Sequence, residues 1–124
     1  MKTEKRKTGD LGEDVVCKFL VKKGFSVVER NYLKKWGEID IVALKDKKIY
    51  FVEVKTIVSD ETKGQNDFRP EDNVHPWKLK RMARTVETYV AERGVNGEYQ
   101  CDLITVRLNM STKKAKVEVI PNIL

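Results

Sequence analysis

Two adjacent segments carry ionisable side chains where their neighbours call for burial: Gly37-Glu38-Ile39-Asp40-Ile41-Val42-Ala43-Leu44 and Ile49-Tyr50-Phe51-Val52-Glu53-Val54-Lys55. Both are rich in β-branched and aromatic residues. The polar Lys45-Asp46-Lys47-Lys48 between them supplies a turn, so the pair reads as a β-hairpin. Strand alternation puts Glu53 and Lys55 on one face. Pairing near the open end of the hairpin brings the carboxylates of Asp40 and Glu53 together. A charge in such a strand costs several kcal/mol unless it is paired, hydrogen-bonded or bound to a cation. Any fold the chain adopts has to supply those partners.

The rest of the chain frames the hairpin. From Asp10 to Lys23 the apolar residues Leu11, Val15, Val16, Phe19 and Leu20 recur at helical spacing, with two lysines in the last turn and Gly24 as the stop. Phe25 to Tyr32 reads as a first strand, so three strands follow one another as a meander. Residues 56–75 are polar, carry Ser59, Gly64 and Pro70, and hold no period, which predicts a long mobile loop. Pro76 opens a second helix whose apolar stripe, from Trp77 through Met82 and Val86 to Val90, ends at Gly94. Tyr99 to Leu108 and Ala115 to Ile120 read as strands around an Asn109-Met110-Ser111-Thr112-Lys113 turn. The order α-β-β-β-α-β-β permits a crossover after the third strand, so an α/β fold with a mixed sheet flanked by helices is expected. Residues 1–8 read as a basic, flexible lead-in and residues 9–124 as a single domain.

A chain of 124 residues has room for one core. Its 25 Lys+Arg against 19 Asp+Glu give a net charge of +6, which suits an anionic partner such as nucleic acid and equally suits a soluble protein with interspersed charges. Cys17 lies in the helical stripe and Cys101 beside a strand, with no spacing suited to zinc, so both read as buried thiols of a reducing cytosol. No apolar run reaches signal-peptide or membrane-spanning length. A cytoplasmic protein with no membrane partner is expected.

The single histidine, His75, excludes multi-histidine metal sites and leaves little room for a Ser-His or Cys-His relay; it stands where the second helix begins. Gly9-Asp10-Leu11-Gly12 lacks the Gly-Lys-Ser/Thr ending of a phosphate loop. Carboxylates and lysines remain. Asp40 and Glu53 together suit Mg²⁺ or Mn²⁺, which prefer oxygen ligands. Lys55, on the face of Glu53, is placed to polarise water or to stabilise charge developing on a phosphate, so the group outlines a phosphodiester-hydrolysing site. Glu13 borders the apolar face of the first helix and offers another ligand. The bland alternatives are a compensated charge pair of Glu53 and Lys55 at a sheet edge and, for Glu13, an acid that suits the helix dipole. Glu38 shares the face of Asp40 if the strand is regular, which offers a supporting acid behind it, but a strand-start surface acid is the preferred reading; Asp102 reads as an acid bonded to turn amides.

At these positions a resemblance enters. Gly12-Glu13, Glu29-Arg30-Asn31-Tyr32, Gly37-Glu38-Ile39-Asp40, Phe51-Val52-Glu53-Val54-Lys55, the helix bearing Lys78, and Cys101-Asp102-Leu103 occur in an order and spacing that resembles the YraN family (UPF0102), from about Gly9 onward. That family looks like a compact branch of the PD-(D/E)XK nucleases, similar to archaeal Holliday junction resolvases. The resemblance implies a restriction-endonuclease-like fold, dependence on Mg²⁺ or Mn²⁺, and branched or otherwise structured DNA as the partner. It gives Asp40, Glu53 and Lys55 the parts of the catalytic aspartate, glutamate and lysine. Asp40, Glu53 and Glu13 would bear the metal, with Lys78 as the helix lysine near the site. Resolvases cut two strands, so a homodimer is implied as well. The expected activity is that of a metal-dependent endonuclease; the alternative is a non-catalytic nucleic-acid-binding module acting in repair, recombination or uptake. One departure is that Thr56-Ile57-Val58 stands where many relatives carry an arginine, which puts an expected phosphate contact in doubt.

Lys78, Lys80, Arg81 and Arg84 on the second helix, with the basic amino terminus, offer a track for a phosphate backbone; a solvated helix face is the competing reading. Arg69 beside Phe68, with Lys63 nearby, offers a stack on an unpaired base together with phosphate contacts. Trp36 reads equally as core and as contact.

Overall fold

The computed structural model describes residues 2–59 and 75–124. Its elements are α1 (Glu4–Lys22), β1 (Ser26–Lys34), β2 (Gly37–Lys45), β3 (Lys48–Ser59), α2 (Pro76–Arg93), β4 (Tyr99–Asn109) and β5 (Lys114–Ile120), in the expected order. Two boundaries move. Thr3 Oγ1 accepts from the Arg6 N–H at 3.1 Å and so caps α1, which starts at Glu4 rather than Asp10. Residues 4–8, read as a lead-in, are therefore helical, and Lys2 and Arg6 pair with Asp10 at 2.7 and 3.3 Å. β3 also outruns its expected end at Lys55. Thr56, Ile57 and Val58 are all β-branched, and they pair with Val106, Arg107 and Leu108 of β4 where a loop was expected. Residues 60–74 of that loop, with Lys63, Phe68 and Arg69, lie outside the described residues.

The sheet runs β1-β2-β3-β4-β5. β1 to β3 form the antiparallel meander, β3 and β4 are parallel across the α2 connection, and β5 returns antiparallel. Asp46 and Lys47 adopt φ of 49° and 66° in the two-residue turn between β2 and β3, as a type I′ hairpin requires. Helix α1 covers one face, packing Val16 and Leu20 on Ile41, Val52 and Ile104. Helix α2 covers the other, packing Met82, Val86 and Tyr89 on Ile39, Val42 and Phe51. This is the mixed, helix-flanked sheet of the expected fold class. Cys17 and Cys101 are free thiols on opposite sides of the sheet; Cys101 is buried as expected, with burial pushing it up to about 12, whereas Cys17 is only half-buried against the α1 core. No helix among the described residues is long and apolar enough to cross a membrane.

One irregularity positions the charged residues. Alternation should keep Ile39 and Ile41 on the same face, yet Ile39 lies in the α2 core and Ile41 in the α1 core. Between the pairs Arg30↔Ile41 and Tyr32↔Ile39, Asn31 adopts a left-handed φ of 54°. The chain rolls over at Asp40, whose side chain takes the place of a ladder partner.

Candidate metal centre

The β2 to β3 ladder runs from Lys45↔Lys48 to Ile41↔Val52 and stops there. Beyond it the Val54 N–H donates to Asp40 Oδ2 at 2.7 Å, so a side chain wedges between the strands where backbone pairing ends. Helix α1 meets this point from one side. A Cβ on Gly12 would overlap Thr56 Oγ1, so only glycine lets the helix approach β3 closely enough to set the next residue, Glu13, beside Asp40. Gly12→Ala is expected to lower stability by about 1–3 kcal/mol through overpacking, read as a lower urea midpoint. Adding Thr56→Ala should restore part of that loss, and strictly additive effects would contradict the close approach.

Oxygens of Glu13, Glu38 and Asp40 lie within 4.8 Å of one another, with Glu13 buried and the other two partly buried. Glu38 thus joins the cluster from a position that the sequence reads as surface. Alternation about Ile39 puts Glu38 and Asp40 on one side of β2, and Glu38 also lines the cleft against α2. Two residues of β1 hold the cluster from outside. Arg30 pairs with Asp14 at 2.9 Å and with Glu13 at 3.5 Å. Asn31, with its amide nitrogen turned towards the acids, donates to Glu13 Oε1 at 3.1 Å and Glu38 Oε1 at 2.9 Å. The sequence offered a signal for both in Glu29-Arg30-Asn31-Tyr32, but no chemistry that assigned them a part.

Glu53 and Lys55 face the same opening. Glu53 lines the clefts on both sides of Asp40, and Lys55 lines the one towards α1. Lys78 Nζ lies 3.2 Å from Glu53 Oε1, so the helix lysine reaches the site through that carboxylate. Burial, then the charge of Glu53, with smaller contributions from Glu13 and Glu38, push Asp40 up from 3.8 to about 8 against the pull of the Val54 N–H. Burial also raises Glu13, opposed by Arg30. The acids are crowded beyond what their amide and cationic neighbours neutralise.

The profile of the uncharacterised protein family UPF0102 matches residues 12–106, which takes in every one of these side chains. The chain belongs to the UPF0102 family. A UPF0102 protein of Campylobacter jejuni (strain 81-176) is 40% identical over 99 residues, covering 80% of this chain and 82% of its own length. One from Helicobacter pylori (strain HPAG1) is 37% identical over 118 residues, covering 95% and 91%.

In this UPF0102 chain the other sequence candidates scatter. Arg81 is exposed and donates from Nε to the Trp36 carbonyl at 2.9 Å, and the Arg84 guanidinium lies 4.2 Å from the Trp36 ring centroid. Trp36 is half-buried, and its indole Nε1 is buried without a hydrogen-bond partner among the described residues. Lys80 is exposed on α2. His75 is the N-cap residue of α2 but makes no side-chain capping bond. Asp102 does what was expected of a structural acid, accepting from the Asn122 N–H at 3.1 Å and from Gln100 Nε2 at 2.8 Å.

Proposed function

We propose that the protein is a divalent-metal-dependent endonuclease acting on branched or otherwise structured DNA. The observation that carries the reading is the crowding of Glu13, Glu38 and Asp40 within 4.8 Å, with Glu53 and Lys55 lining the same cleft as Glu13 and Asp40. An all-oxygen donor set of this kind fits Mg²⁺ or Mn²⁺, and a cation relieves the mutual repulsion that raises Asp40. Asp40 and Glu13 would hold the ion, with Glu38 or Glu53 completing the protein's share. When bound, it supplies Lewis-acid polarisation of a phosphoryl oxygen.

The chain's own groups supply the rest. The Lys55 ammonium, on the same strand face as Glu53, stabilises negative charge as it grows on the phosphate and orients the attacking water. Lys78 neutralises part of Glu53 and brings a second cation to the cleft. Arg30 and Asn31 fix Glu13 and Glu38 so that their oxygens stay directed at the opening. A homodimer belongs to the same reading, since a branched substrate has two strands to cut.

The competing reading, a non-catalytic nucleic-acid-binding module, draws on the Glu53–Lys78 ion pair, which engages one of the expected ligands. The two separate in one assay with branched, single-stranded and duplex DNA, Mg²⁺ or Mn²⁺, and the variants Asp40→Ala and Glu53→Ala. Metal-dependent cleavage that both variants lose supports the enzyme. Unchanged binding with no cleavage under any condition sinks it.

A further inference from the structure

Two clefts meet at the carboxylates, and Asp40 and Glu53 line both. The cleft against the first turns of α1, about 390 Å³, is walled by Lys5, Thr8, Gly9 and Lys55, which offer amines, a hydroxyl and close backbone. The cleft against α2, about 350 Å³, differs in kind. Its walls are largely hydrocarbon and indole, from Trp77, Leu79, Met82, Leu103 and Ile123, with Lys78, Arg81 and Glu38 also lining it. Trp77 is 59% exposed in the first turn of α2, and the Arg81 guanidinium lies 5.7 Å from its ring centroid. A large indole exposed beside an apolar hollow suits a flat apolar occupant. Lys78 and Arg81 supply positive charge for an occupant attached to phosphate, with Glu38, Asp40 and Glu53 taken up by the cation of the nuclease reading.

A nucleic-acid strand alternates those two chemistries, phosphate and base. We propose that the α2-side cleft takes an unpaired nucleobase of the strand whose phosphodiester lies over Asp40 and Glu53. Trp77 is the stacking surface, and Lys78 and Arg81 meet the flanking phosphates. The inference rests on the nuclease reading for what lies at the carboxylates, and it adds that the substrate presents an unpaired base beside the cut. A paired, stacked base cannot enter without the cost of extrusion, whereas a base at a branch point or in a single strand enters cheaply.

The chain holds two tryptophans, so Trp36→Phe leaves Trp77 as the sole indole reporter. With that full-length variant, titration of oligothymidylate in EDTA, and separately in Ca²⁺, is expected to quench the fluorescence. An abasic oligonucleotide of equal length should bind about tenfold more weakly and quench nothing, the fold-change of one lost stack. In the chain with Trp36 intact, Trp77→Ala should bring oligothymidylate affinity down to the abasic value, and Trp77→Phe should retain most of it. Equal affinity and equal fluorescence with and without bases overturns the proposal. Metal-dependent cleavage that ignores Trp77→Ala and removal of the base beside the cut also overturns it, while leaving the nuclease reading in place. Base-dependent quenching without cleavage in any metal supports the base site and sinks the nuclease reading instead.

Discussion

Asp40→Asn is expected to lose cleavage by about a hundred- to thousandfold or more and, in EDTA at pH 8, to be more stable than the unsubstituted protein. The two effects share one cause. Asparagine keeps an oxygen for the Val54 N–H, which Asp40 accepts at 2.7 Å, so the wedge between β2 and β3 survives. It removes the negative charge that Glu53, Glu13 and Glu38 oppose. What stabilises the fold without metal is therefore what disables the site, because the lost charge is the one that would bind the cation and act on the transition state. A residue kept only for packing would show the reverse: lower stability, with activity falling only as the fold does. Urea unfolding and cleavage kinetics on the same preparations separate these outcomes.

The second large effect is a pH dependence in the absence of metal. Asp40 rises from 3.8 to about 8 on folding, first through burial and then through its acidic neighbours. The folded chain thus holds a proton that the unfolded chain releases near pH 4. Stability contributed by neutral Asp40 is full below that pH and is lost as pH climbs to about 8, the opposite of a salt-bridged aspartate. Each pKa unit corresponds to about 1.4 kcal/mol, and a partly exposed carboxylate realises on the order of 2–3 kcal/mol of the span. Urea midpoints in EDTA should fall by about 1–2 M between pH 5 and pH 8, and Asp40→Asn should remove most of that fall. A fall of the same size in the variant would assign it to other groups.

Much of this was legible in the residues themselves. The hairpin, both helices, the meander and the return of β5 follow from period, turn chemistry and caps, and Pro76 and Gly94 bracket α2 as their backbone preferences dictate. The edges were less legible for local reasons. Thr56-Ile57-Val58 lies in front of a polar stretch that masks its β-branched character, and its strand pairing depends on β4, far away in sequence. The start of α1 turned on Thr3, a single capping hydroxyl among lysines.

The site was legible as residue types and only partly as geometry. Glu13, Asp40, Glu53 and Lys55 line one cleft. Glu38 was legible as sharing the face of Asp40 yet was read as a surface acid, because its approach to Glu13 depends on the docking of α1 and on Asn31, left-handed in the neighbouring strand. Arg30 and Asn31 were hidden for the same reason. Their roles exist only once β1, β2 and α1 are brought together. The basic face of α2 proved to be two surfaces, with Lys78 turned to Glu53 and Arg84 against Trp36.

The most direct measurement is calorimetric titration of Mn²⁺ at pH 7 in two buffers of different ionisation enthalpy. If the carboxylates form a cation site around a protonated Asp40, Mn²⁺ binds to the unsubstituted protein with release of close to one proton, and Asp40→Asn loses both the binding and the release. Absence of binding, or binding that releases no proton and survives Asp40→Asn, would contradict the site.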